Sequence, residues 1–327
     1  MRNVPSWMVN VRRRDFLKNS AAIAGLGRGP VLIGAPAGMF ISLNASLVGS
    51  KTDNEGHRTP AVAWPEFARL AARVGFGGVD VNLNGAMAEG LGATRSLFSQ
   101  LKIRPGICSF PVTATFGRDE AAFQAGLAKL ADVAQFAAAI GCPRMMTVLP
   151  PSSQTPKEEL RKILKDRLAK VSEVLARSAV RLGLEFLGPQ YMHTRQPHEF
   201  IWRMNETLEF AKECGANIGL TLDAWHWHHS GATVEDILRA GKSRIVTVHV
   251  SDAKKQPPED VRDNERLLPG EGVINLVGFF QALQKIGYVD AISPEPLGRI
   301  PTDTSPEDGA RMGLQSTRVV MEKAGVI

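Results

Sequence analysis

Two hydrophobic patterns take turns along the chain. Short, nearly continuous apolar runs are each followed by a stretch whose apolar positions return at helical spacing, with turn residues at the seams. The runs predict strands over 39–47, 78–83, 106–110 and 144–149. Four more end in polar residues: Leu182-Gly-Leu-Glu185, Ile218-Gly-Leu-Thr-Leu-Asp223, Ile245-Val-Thr-Val-His249 and Ala291-Ile-Ser-Pro-Glu295. Helices are predicted over 64–74, 92–101, 121–140, 156–182, 197–214, 234–240, 275–286 and 306–324. Gly75, Gly141 and Gly215 stop three of them, and Glu158 and Glu159 favour the positive end of a fourth.

Strands buried on both faces, separated by helices, argue for parallel pairing. Roughly eight strand–helix units are the number a closed barrel requires, so the expected fold class is α/β, a single (β/α)8 TIM barrel. A doubly wound open sheet is the runner-up, but no G-x-G-x-x-G turn follows the first strand. The 327 residues suit one barrel better than two domains with separate cores. The expected division is a leader over 1–37 and the barrel over 38–327.

In such a barrel all strand ends of one polarity meet on one rim. Glu185, Asp223, His249 and Glu295 would then converge, and three oxygen ligands with one imidazole suit a divalent ion. Manganese is the first choice, with zinc, cobalt or magnesium as alternatives. A carboxylate at the end of an apolar strand is costly unless something cationic meets it. One ion would meet all four residues at once.

The run Asp223-Ala-Trp-His-Trp-His-His229 places aromatic rings and imidazoles on the loop after the sixth strand. Trp225 and Trp227 offer flat apolar faces to a sugar, and His226 can point at a substrate oxygen. His228 and His229 are read as a solvated loop. Asp252, Lys254 and Lys255 follow His249, and Arg266 lies in the long connection that ends with Pro269-Gly-Glu-Gly272. Loops of this length inside a barrel are usually functional or disordered. Lys255 and Arg266 are therefore candidate substrate-binding residues.

Charge changes the picture only at the N-terminus. The net charge is +6. Arg2, Arg12, Arg13, Arg14, Lys18 and Arg28 face Asp15 alone in residues 1–28, leaving the remainder close to neutral. A nucleic-acid groove needs clustered cations on the folded body, so a nucleic-acid partner is not expected. Arg13-Arg14-Asp-Phe-Leu-Lys18 is similar to the twin-arginine export signal, and Ala35-Pro-Ala37 offers a cleavage site. The expected location is periplasmic or exported, with the twin-arginine translocase as partner and no membrane contact in the mature form. The alternative is a cytoplasmic enzyme with a basic tail. Cys108, Cys142 and Cys214 lack metal-type spacing and read as small core residues. A homo-oligomer is compatible with the sequence.

From residue 39 onward the chain resembles the xylose-isomerase-like barrels of the sugar phosphate isomerase/epimerase superfamily. The resemblance rests on the ordered series Glu185, Asp223 with His226, His249 and Glu295, and on Pro269–Gly272. It implies a divalent-metal-dependent isomerase or epimerase of a ketose or keto-sugar derivative, working by proton transfer through an enediolate. Glu185 and Glu295 would bind the metal and also move the proton, while His226 would hold a substrate oxygen. The chain departs from the ketose 3-epimerases at Tyr191, where they carry a further glutamate, and at Lys255, a loose counterpart of their arginine. A lyase or dehydratase of keto-sugars, keto-glycosides or keto-inositols is the alternative. A DNA-repair enzyme on the same barrel would need histidines from early strands, and only His57 precedes Glu185.

Overall fold

A computed structural model of the protein describes residues 38–52 and 58–327. The twin-arginine segment and its cleavage site lie outside the described residues.

Eight strands close into a barrel: β1 (Phe40–Leu43), β2 (Gly78–Val81), β3 (Arg104–Ser109), β4 (Arg144–Val148), β5 (Arg181–Glu185), β6 (Ile218–Asp223), β7 (Ile245–Val250) and β8 (Ala291–Pro294). Every ladder is parallel, each strand pairs with its neighbours in sequence, and β8 closes on β1. The barrel expectation holds. The apolar core lies between the strands and the outer helices, where Phe123, Leu130, Leu168, Val171, Phe279 and Phe280 are fully buried. Local chemistry agrees with this packing. Ser305 caps the last helix, Pro306–Lys323, by accepting from the Asp308 N–H at 3.1 Å. Asp119 caps Glu120–Ala139 in the same way.

The barrel axis is polar. Ser42, Thr221, Thr247 and Ser293 are all fully buried. Room for this layer comes from small neighbours: a Cβ on Gly183 would stand 2.5 Å from Thr221 Oγ1.

The larger departures of element boundaries from expectation include four. The helix expected over 156–182 ends at Ala176, because Leu182 already pairs with β4 and β6. Buried strand residues continue the apolar periodicity of the helix before them, so the pattern alone cannot mark the join. The helix expected from 197 starts only at Met204, since His198–Glu199 pairs antiparallel with Ser152–Ser153. The first strand stops at Leu43, where the Asn44 side chain caps the turn Ala45–Leu47. An unexpected helix, Leu83–Glu89, is nucleated by Asn82, which accepts from the Gly85 N–H at 3.0 Å. Among the described residues no helix is long and apolar enough to cross a membrane.

Candidate functional site

Register brings the four predicted ligands to one place. Asp223 lies opposite His249, Glu185 lies opposite Thr221, and Glu295 follows directly on β8, its N–H bonded to Val250 O at 2.8 Å. One ligand atom from each of Glu185, Asp223, His249 and Glu295 lies within 4.8 Å of the other three. His249 Nδ1 is 3.0 Å from Glu185 Oε1 and 3.5 Å from Glu295 Oε2. Asp223 is also the cap of helix Ala224–His229, where Oδ1 accepts from the Trp225 and His226 N–H groups at 2.7 and 3.0 Å. Those bonds fix the carboxylate and leave Oδ2 for a cation.

The electrostatics fit such an ion. Two like charges ~4 Å apart repel by about 4 kcal/mol at the effective dielectric of a protein surface. Burial pushes the Glu185 carboxyl up to about 7, against the pull of His249. Burial would lower the His249 imidazole, yet the Glu295 and Glu185 carboxylates carry it well above its ordinary value. Burial would likewise raise Asp223 and Glu295, but Arg266 and His249 hold both below the usual carboxylate range. Three carboxylates thus draw cationic partners wherever they can. The donor set of three carboxylates and an imidazole suits a divalent ion.

Arg266 reaches the cluster from the connection after β7. Its Nη1 donates to Asp223 Oδ2 at 2.8 Å and to Glu295 Oε2 at 3.2 Å, while Nε and Nη2 donate to Asp263 Oδ1 at 2.9 and 2.7 Å. Nη2 also donates to His226 Nε2 at 3.1 Å. Burial presses the His226 imidazole down to about 3, so the ring is neutral and its proton sits on Nδ1, which has no partner. The connection is tied down by Asp252, whose carboxylate accepts from the N–H groups of Ala253, Gly270, Gly272 and Ile274 at 2.9–3.0 Å. Tyr191 adds a prop, its hydroxyl accepting from the Asp263 N–H at 3.1 Å.

His226 and Arg266 therefore join the four-residue cluster, and three other expectations are corrected. Trp225 is 2% exposed and lies under the Arg266 guanidinium, 4.7 Å from ring centroid to carbon. Trp227 is 4% exposed, donates from Nε1 to Thr233 O at 3.2 Å and packs on Phe279. Neither ring is open to a sugar, because residues 224–229 form a helix that turns both indoles inward, not a solvated loop. Lys255 is exposed on a separate cleft of about 840 Å³ with Gln190, Trp202 and His228, away from the cluster. Arg266, not Lys255, supplies the cation at the site.

A cleft of about 1800 Å³ opens over the barrel mouth and contains His249 and Glu295. Its other wall carries Asp80, a residue that sequence reasoning misses. Asp80 sits mid-run in Gly-Val-Asp-Val on β2, with no neighbouring motif to single it out. It accepts from Ser42 Oγ at 2.7 Å, Ser293 Oγ at 2.9 Å and Asn44 Nδ2 at 3.1 Å.

The family model of the xylose isomerase-like TIM barrel matches residues 68–319, and the chain belongs to that family. An inosose isomerase of Halalkalibacterium halodurans is 27% identical over 208 residues, 63% of this chain and 71% of that protein. The chain spans about half the length of the matching inosose isomerase of Bacillus subtilis, 48% of it at 32% identity. Among solved structures, a xylose isomerase domain protein from Alicyclobacillus acidocaldarius superposes with a TM-score of 0.78 at 26% identity, over 88% of this chain and 99% of that one. The zinc-bound IolI protein superposes with a TM-score of 0.69 at 20% identity, over 88% of this chain and 99% of that one, a likeness of fold.

Proposed function

We propose that the chain is a divalent-metal-dependent isomerase or epimerase of a keto-sugar or keto-inositol. The observation that carries this reading is the buried cluster of Glu185, Asp223, His249 and Glu295, with one ligand atom from each within 4.8 Å of the rest. Membership of the xylose isomerase-like family and similarity to inosose isomerases support the substrate class.

These four residues would hold the metal. When bound, it supplies Lewis acidity next to a substrate carbonyl and makes the adjoining C–H more acidic. Glu185 and Glu295 come from β5 and from the end of β8, on either side of the β6–β7 pair. One carboxylate takes the proton and the other returns it, which inverts a centre or moves the carbonyl. His226, expected to hold a substrate oxygen, is 1% exposed with Nε2 on Arg266 and Nδ1 buried, so it serves as a positioning residue for that guanidinium and not as a donor to substrate. Arg266 orients Asp223, Glu295 and His226 together. The leader supports export as the setting, where an unphosphorylated sugar is the natural substrate.

The test is solvent-isotope exchange. The manganese-loaded protein is incubated in heavy water with inosose, D-fructose and D-allulose. Deuterium at one carbon with the skeleton intact supports the proposal. Loss of water in place of exchange points to the dehydratase alternative, and absence of exchange into any carbonyl sugar contradicts both.

A further inference from the structure

The cleft extends well beyond the four-residue cluster, across to the wall built by β1–β3, where Asp80 has no lysine or arginine partner among the described side chains and His249, on the same cleft, is its cationic neighbour. Among the residues whose side chains are described, no lysine or arginine lines this cleft, whereas Asp80, Asp263 and Glu295 do. Asp80 differs from the structural carboxylate Asp252. Asp252 is 1% exposed and both its oxygens are filled by backbone N–H groups. Asp80 is half-buried, faces the cleft and is held by three side chains. Its Oδ1 takes Ser42 and Ser293, while Oδ2 takes only Asn44 and keeps acceptor capacity.

The arrangement depends on a missing side chain. A Cβ on Gly106 would stand 2.2 Å from Ser42 Oγ and 2.4 Å from Asp80 Oδ1, so glycine at 106 makes room for the pair. Asn44 is itself positioned, its Oδ1 accepting from the Ser46 N–H at 2.8 Å while its amide donates to Asp80. Ser293 connects Asp80 to the strand that leads to Glu295, and it lies opposite His249 in the β7–β8 ladder. A carboxylate fixed by hydroxyl and amide donors, open on one side to a polar cleft, is suited to receive a hydroxyl. It repels an anion.

We propose that Asp80 is a second substrate-binding group, accepting a hydrogen bond from a hydroxyl remote from the Glu185–Asp223–His249–Glu295 cluster and so restricting the enzyme to uncharged polyols. This deepens, and rests on, the reading of the cleft as a site for keto-sugars or keto-inositols. A phosphate at that end would meet a carboxylate with no lysine or arginine among the described side chains to bridge them.

Equilibrium binding to the full-length, manganese-loaded chain tests it, with inosose, D-fructose and D-fructose 6-phosphate as probes in titration calorimetry. Asp80→Asn is expected to weaken inosose or D-fructose roughly 10- to 100-fold, the range of a hydrogen bond to a charged group, with metal content and Tm unchanged. D-fructose 6-phosphate is expected to bind the wild type about tenfold or more weakly than D-fructose, and Asp80→Asn should narrow that gap. Asn44→Ala keeps the carboxylate but frees Oδ2 to swing, and should weaken binding by a smaller factor. If Asp80→Asn misfolds or loses metal, Asn44→Ala becomes the decisive variant. Unchanged affinity in the decisive variant, equal binding of the phosphorylated sugar, or failure of the wild type to bind inosose or D-fructose each overturns the proposal. Asp80-dependent binding without isotope exchange keeps this inference and sinks the isomerase reading. Exchange with unaltered binding in Asp80→Asn does the reverse.

Discussion

Arg266 Nη1 and Asp223 Oδ2 meet at 2.8 Å, with both side chains almost wholly removed from water. The same guanidinium bonds Glu295, Asp263 and His226 and lies over the Trp225 ring. One cation thereby joins the connection after β7 to two metal-type carboxylates and to the helix behind them. A divalent ion and Arg266 would share the work of neutralising this acidic rim.

Removal of that guanidinium should cost both fold and function. Arg266→Ala leaves buried carboxylates unpaired, and breaking such a pair typically costs about 3–5 kcal/mol. Arg266→Lys retains the charge but not the planar set of donors, so it should recover part of the stability and little of the turnover. Chemical denaturation of the three proteins, with turnover measured in parallel, checks this. A Lys variant that matches wild type in both would remove the special role of the guanidinium.

Metal affinity should depend on pH with a definite sign. Glu185 is raised from 4.5 to about 7 in the metal-free site, so it gains a proton as pH falls through that value. A carboxylate must lose that proton to bind a cation, and His249 must lose its own. Manganese affinity is therefore expected to fall about tenfold or more for each pH unit below neutrality. For the metal-free fold the sign is opposite. A raised carboxyl contributes stability below 4.5 that is lost as pH rises through about 7. The Tm difference between loaded and metal-free protein should then widen with rising pH. A difference that shrinks as pH rises would contradict the assignment of Glu185 as a ligand.

The connection after β7 hangs on one carboxylate. Asp252→Ala deprives four backbone N–H groups of their acceptor and should destabilise the protein by about 2–3 kcal/mol, the scale of hydrogen bonds to a charged group. Limited proteolysis should then cut within 253–273 before the barrel opens. Equal protease resistance in variant and wild type would show that the loop is held by other contacts.

Trp227 provides a negative test. With its ring buried and Nε1 bonded to Thr233 O, Trp227→Phe should lose about 1 kcal/mol of stability and leave KM unchanged. A large KM increase at unchanged stability would restore the indole as a sugar platform.

The barrel and its four convergent side chains were legible because they follow from a repeated rule. Buried parallel strands must be apolar along their length, so polar residues at 185, 223, 249 and 295 stood out against Val, Ile and Leu. The direction of Trp225 and Trp227 was not legible, since Asp223-Ala-Trp-His reads equally as a loop or as a capped helix. Only the burial of Trp227 against Phe279 decides between them. Arg266 and Lys255 were equivalent in sequence, both lying in one charged connection. The Asp252 bonds and the Tyr191 prop fold that connection so that the later cation turns inward. Asp80 was invisible because its partners, Ser42, Asn44 and Ser293, come from the two ends of the chain.

The most direct measurement is the metal content of the purified full-length protein after loading with manganese and removal of free ion. Elemental analysis should find one manganese per chain in the wild type and a large loss in Glu185→Gln, Asp223→Asn and His249→Ala, each still folded by circular dichroism. A wild type that retains no divalent metal, or variants that retain it in full, would contradict the site on which the proposed chemistry depends.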